Sequence, residues 1–101
     1  MDLQDNSFIL NIKNIIGGIL MLGIKIQLNT LPAAQKLAMI AEKYPDNIRA
    51  ISEGYIVNAK SVLGILSLDL SKPVMIEFCE VKNGNFYKFT DELSQAGIHS
   101  A

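Results

Sequence analysis

The chain has 101 residues, half of them hydrophobic and 19% charged, with a net charge of −1. That is one domain's length of sequence, with enough apolar residues for a packed core and too many for intrinsic disorder. The lysines are scattered from Lys13 to Lys88 without a basic stripe, which argues against direct DNA or RNA binding and leaves proteins or a small ligand as partners.

Cys79 stands alone, so no disulfide forms within one chain, as suits the reducing cytoplasm. With His99 as the only histidine, no metal site is expected. Residues 8–28 are apolar but interrupted by Asn11, Lys13, Asn14 and Lys25. The uncharged run from Ile15 to Ile24 is about half a bilayer span and holds Gly17, Gly18 and Gly23, so no membrane span is expected. Asp2 and Asp5 precede it and no small-residue cleavage site follows, which argues against a signal peptide. Met21 offers a second start. Residues 1–20 then read as an N-terminal extension outside a domain spanning 21–101.

From Gly23 onward, Ile24, Ile26 and Leu28 alternate with Lys25 and Gln27, the period of a half-buried strand. Asn29-Thr30 offers a helix cap, with Pro32 at an early helical position. Leu37, Ile40, Ala41 and Tyr44 fall at helical spacing, and Pro45 stops the helix predicted over Pro32–Tyr44. Two short strands, Ile48–Ile51 and Tyr55–Ala59, flank a turn at Ser52-Glu53-Gly54. A short helix follows over Val62–Leu68, then a strand over Val74–Val81, a turn at Asn83-Gly84 and a helix over about Asn85–Ala96, which Gly97 terminates. The order is β-α-β-β-α-β-α. It gives an α+β fold with a four-stranded antiparallel sheet covered on one face by three helices.

Catalytic chemistry finds little to stand on. Gly17-Gly18 lacks the spacing and the lysine of a phosphate loop, and the carboxylates occur singly. Cys79 reads as an ordinary strand residue, because His99 in the C-terminal tail is the only candidate base. Tyr44, Tyr55, Phe86, Tyr87 and Phe89 read as core or edge aromatics. No catalytic residue and no cofactor is expected, and the chain reads as a non-enzyme.

The informative stretch is NAKSVLGILSLDLSKP, Asn58 to Pro73. Ser61 precedes a short apolar helix and can cap it. At about 100° per residue, Val62, Leu63 and Leu66 share one sector, with Ile65 and Leu68 on the other side. A two-turn helix on a one-sided sheet cannot bury both, so one sector is expected to form an exposed docking patch, with Lys60 and Gly64 on its rim. Phosphate on Ser61 would sit at the positive end of the helix and add about −1.5 to −2 charges beside the patch. Two readings stand at this point: a docking site with a serine switch, or a serine that only caps a fully buried helix.

In this stretch the sequence resembles the HPr family, small phosphocarriers of the bacterial phosphoenolpyruvate-dependent sugar phosphotransferase system. The resemblance covers roughly Gly23 to Gly97 and is strongest where the family has a serine-capped helix of the form KS-(I/V)-(M/L)-G-(V/I)-(M/L)-SL. It implies an open-faced β-sandwich. The family's second signature, an H-A-R-P-A segment whose histidine takes phosphate via enzyme I, is replaced here by Leu28-Asn29-Thr30-Leu31-Pro32-Ala33-Ala34. Counting back from Ser61 puts Thr30 at the histidine and Pro32 at the arginine; aligning the prolines puts Asn29 and Leu31 there. Neither side chain supplies a phosphoramidate nitrogen, so Asn29, Thr30, Leu31 and Pro32 form a degenerate phosphohistidine segment.

What the resemblance then implies is regulation. The family serine matching Ser61 is phosphorylated by HPr kinase/phosphorylase in low-GC Gram-positive bacteria, making a corepressor for catabolite control protein A. Crh paralogues keep that serine without the histidine, and this chain is similar in kind. Val62, Leu63 and Leu66 match the family's docking patch. The expected partners are HPr kinase/phosphorylase and a catabolite-control transcription regulator or a phosphotransferase-system component. The alternatives are a phosphocarrier with an unconventional acceptor and a structural or assembly module without phosphorylation. Oligomeric state is not legible.

Overall fold

The structure of the protein, a computed structural model, describes the backbone of residues 11–16, 19–79 and 84–101 and the side chains from Met21 onward within that range. In chain order the elements are β1 (Asn11–Ile16), β2 (Ile19–Gln27), α1 (Leu31–Glu42), β3 (Asn47–Ser52), β4 (Tyr55–Asn58), α2 (Val62–Leu66), β5 (Val74–Cys79), α3 (Asn85–Gln95) and β6 (His99–Ser100). The sheet runs β1-β2-β5-β3-β4 with every neighbour antiparallel, and β6 adds to β2.

The α+β element order expected from the hydrophobic pattern, and the open-faced sandwich implied by the resemblance, are the observed architecture. The four expected strands are β2, β5, β3 and β4; β1 and the short β6 extend the sheet beyond them. Both extra strands pair with β2, whose outer edge would otherwise offer free N–H and C=O groups. Residues 80–83, including Val81 of the expected last strand and Asn83 of the expected turn, lie outside the described residues.

Register explains which face is buried. Leu22 pairs with Phe78 and Phe78 with Ile48, while Ile24 pairs with Ile76 and Ile76 with Ala50. All six are buried, with Ile26 and Val74 extending the set by one more pair. Because side chains alternate across a strand, these residues form one face. Helices α1, α2 and α3 cover it with Ala34, Leu37, Ala38, Ile40 and Ala41, with Ile65, and with Phe86, Phe89 and Leu93. Phe78 lies at the centre, its ring 5.3 Å from that of Phe86 and 5.1 Å from that of Phe89. Such offset and edge-on contacts add to the area the rings remove from water.

The alternate residues form a second, helix-free face. One row across it reads Lys25, Met75, Ile51, Ile56; the next reads Gly23, Glu77, Arg49, Asn58. Arg49 Nη2 donates to Glu77 Oε1 at 2.6 Å within that second row. The bond to Glu77 holds the guanidinium pKa above its ordinary value.

Local chemistry sets the element ends. Thr30, extended at φ −131°, caps α1 by accepting from the Ala33 N–H at 3.2 Å. Helix α1 stops at Glu42, two residues before the expected Tyr44, because the residue preceding Pro45 is driven out of the helical region. The β3–β4 turn places Glu53 at φ 52° and Gly54 at φ 84°, the paired left-handed residues of a tight hairpin turn whose twist matches the strands. At the end of α3 the Ile98 N–H donates to the Leu93 carbonyl and the Gly97 N–H to that of Ser94, both at 3.0 Å. With Gly97 at φ 82°, this is a Schellman closure, and it turns buried Ile98 into the core.

Candidate docking site at the serine-capped helix

Helix α2 is built to be short. Ser61 lies extended at φ −100°, and its Oγ accepts from the Gly64 N–H at 3.0 Å, satisfying one of the orphan donors of the first turn. At the other end Ser67 Oγ donates to the Gly64 carbonyl at 2.6 Å. The two serines bond to the N–H and the carbonyl of the same glycine. A side chain at Gly64 would bring its Cβ within 3.3 Å of both Ser61 Oγ and Val57 Cβ, so the glycine lets α2 lie close on β4.

The apolar residues divide as helical spacing predicts, with one difference. Ile65 and Leu68 are buried, whereas Leu63 is 83% exposed and Leu66 37% exposed. Val62, expected in the outward sector, is half-buried and packs on the core instead. It directly follows the cap, where the chain is still leaving β4, so its side chain reaches the core margin before the helix turns outward. The outward apolar surface of α2 is therefore Leu63 and Leu66.

Lys60, placed by sequence on the rim of the patch, is half-buried and its Nζ donates to the Tyr44 carbonyl at 2.6 Å. This bond ties the chain before α2 to the chain after α1, and α1 and α2 pack against each other. The partner of Lys60 is a backbone carbonyl remote in sequence, which periodicity does not reveal.

The degenerate segment lies at the start of α1. Asn29 adopts φ 66°, its N–H donates to the Leu70 carbonyl at 3.0 Å and its Oδ1 accepts from Gln27 Nε2 at 3.0 Å. Thr30 holds the N-cap position, and Leu31 and Pro32 are exposed in the first turn. Its polar groups are hydroxyl, amide and backbone groups, with no imidazole or guanidinium among them.

A second cluster fastens α3 to α1 and is absent from the sequence reading. Lys43 Nζ bonds Glu92 Oε2 at 2.6 Å, and the Tyr44 hydroxyl donates to Glu92 Oε1. The bond from Lys43, followed by that from Tyr44, holds the Glu92 carboxyl below the usual carboxylate range. Burial, reinforced by Glu92, pushes the Tyr44 phenol well above its ordinary value. A clue exists in the sequence, since a buried tyrosine needs a partner for its hydroxyl, but nothing local points to Glu92.

Among the described residues no three His, Cys, Asp or Glu side chains gather as metal ligands, and no helix is long and apolar enough to cross a membrane. No protein-family model matches the chain. No curated protein matches it either. Solved structures do. HPr-C-His from Thermoanaerobacter tengcongensis superposes with a TM-score of 0.54 at 22% identity, over 70% of this chain and 88% of that one. The phosphocarrier protein HPr from Bacillus anthracis str. Ames superposes with a TM-score of 0.55 at 22% identity, over 72% of this chain and 92% of that one. The fold is HPr-like. Within it, β2, β5, β3 and β4 supply the central sheet and α1, α2 and α3 its helical layer, while identity at this level speaks for the fold alone.

Proposed function

We propose that the protein is a regulatory HPr-like protein linked to the phosphoenolpyruvate-dependent sugar phosphotransferase system, phosphorylated on Ser61 and read by protein partners. In this reading the docking surface is Leu63 and Leu66, with Val62 at its base and Lys60 and Gly64 on its rim. The observation that carries it is the pairing of Ser61, half-buried at the helix cap, with Leu63 at 83% exposure two residues on. A single exposed leucine needs no explanation, but one beside a capping serine on a helix with few other outward groups fits a reader surface.

Phosphate on Ser61 would bring about −1.5 to −2 charges and strong acceptor oxygens next to the Gly64 N–H and beside Leu63. The surface then offers an anion and an apolar knob together, suited to a partner with an arginine and an apolar pocket. HPr kinase/phosphorylase is the proposed modifier. A catabolite-control transcription regulator or a phosphotransferase-system component is the proposed reader, in the cytoplasm.

A histidine carrier role is not proposed. Thr30, at the cap of α1, has a hydroxyl that accepts from the Ala33 N–H and no nitrogen to form a labile phosphoramidate. Incubation with phosphoenolpyruvate and enzyme I is expected to give no acid-labile adduct.

The deciding experiment is incubation with ATP and an HPr kinase/phosphorylase, followed by intact mass. One phosphate on wild type and none on Ser61→Ala is the expected outcome. No phosphate on wild type, or equal phosphate on Ser61→Ala, sinks the proposal.

A further inference from the structure

The sheet ends on two strands that are finished differently. On one side β1 carries a register shift between Ile12 and Asn14, with Lys13 in the bulge. A bulge and a lysine are two of the devices by which edge strands avoid pairing with other chains. On the other side β4 reads Tyr55-Ile56-Val57-Asn58, without charge or proline, and its register against β3 is unbroken. Among the described residues no strand pairs with its outer side.

The ladder fixes which backbone groups face out. The Ala59 N–H donates to the Ile48 carbonyl at 3.0 Å, and from there Ala50 pairs with Val57 and Ser52 with Tyr55. Bonded and non-bonded pairs alternate in an antiparallel ladder, so Val57 and Tyr55 direct their backbone groups to β3 and Ile56 directs its own away. Beside that outward N–H and C=O, Tyr55 is 70% exposed and Ile56 58% exposed.

We propose that β4 is an association edge whose partner is β4 of a second copy, antiparallel about a two-fold axis at Ile56. Self-complementarity argues for this occupant. With Ile56 opposite Ile56 of the second copy, each N–H donates to the other's carbonyl. Tyr55 then falls opposite the half-buried Val57 of the second copy. On the helix-free face the strip Met75, Ile51, Ile56 continues across the axis into the same three residues in reverse order. β4 brings no charge to the junction, and at a net charge of −1 the two copies repel little. Four-residue strands cover less than the about 800 Å² per partner of a standard interface, so the association is weak and concentration-dependent.

Sedimentation equilibrium of the full chain over a dilution series tests this, together with amide exchange. The weight-average mass of wild type is expected to rise toward that of a dimer with concentration. The Ile56 amide should exchange roughly tenfold more slowly in the dimer, with the buried Ile76 amide unchanged. Ile56→Lys sets two lysines against each other on the axis and should weaken association roughly tenfold. A wild type that stays monomeric up to about 1 mM overturns the proposal. Association that Ile56→Lys leaves unchanged, or that Leu63→Asp abolishes, also overturns it, since the interface then lies elsewhere. The exchange measurement uses wild type and does not depend on the folding of any variant: an Ile56 amide indifferent to concentration counts against the edge.

Discussion

Lys60 and Tyr44 are joined through a single bond, Lys60 Nζ donating to the Tyr44 carbonyl at 2.6 Å. Tyr44 lies where α1 has stopped, so its carbonyl is an acceptor with no helical partner. Its hydroxyl donates to Glu92 of α3. One residue thus links the end of α1, the approach to α2 and the body of α3. Lys60→Met keeps the apolar stem and removes the bond. It should cost about 1 kcal/mol and speed amide exchange at Gly64 and Ile65, measured by hydrogen-exchange NMR.

Ser61→Ala removes the acceptor for the Gly64 N–H and should cost about 1 kcal/mol in urea denaturation. Ser61→Asp keeps a capping oxygen and should unfold within a few tenths of a kcal/mol of wild type. The pair separates loss of the cap from loss of the proposed phosphate acceptor.

Leu63 and Ile65 should behave oppositely although they share one short helix. Leu63→Asp is expected to abolish binding of the proposed partner, measured by calorimetry, while changing stability by no more than about 0.5 kcal/mol. Ile65→Ala opens a cavity in the core and should cost about 2–5 kcal/mol.

Glu92 makes stability depend on pH. Its carboxyl is held low by Lys43 and then by Tyr44, so its contribution is present above the unfolded-state pKa of about 4.3 and is lost as pH falls through the lower folded value. Glu92→Gln should therefore melt below wild type at pH 7, with the gap closing under acid. The Tyr44 phenol is raised, so its contribution holds below about pH 10 and is lost as pH climbs through the higher folded value. Thermal scans from pH 3 to 11 check both signs.

Residues 21–101 are proposed as the folding unit on the sequence pattern; the cut removes β1 and the first two residues of β2 but leaves β2 paired with β5 from Leu22 onward. A chain starting at Met21 should keep a single cooperative unfolding transition of nearly wild-type stability, followed by circular dichroism. A broad transition or marked destabilisation would count against it.

The sequence by itself determined the central fold and the division of α2. Alternation at Ile24, Ile26 and Leu28, and helical spacing at Phe86, Phe89 and Leu93, depend only on local geometry and burial, so they can be read without coordinates. The same holds for the Ser61 cap and for the split of the α2 apolar residues into two sectors, with Leu63 on one and Ile65 on the other. The outward orientation of the Leu63 sector was decided by the structure. The tertiary structure alone decided the bonds of Lys60 to Tyr44 and of Glu92 to Tyr44 and Lys43, whose partners lie far apart in the chain. It also decided that Val62 turns to the core and that β1 and β6 both pair with β2. Strand order and helix docking bring those groups together, and no period in the sequence encodes a distance between residues so far apart.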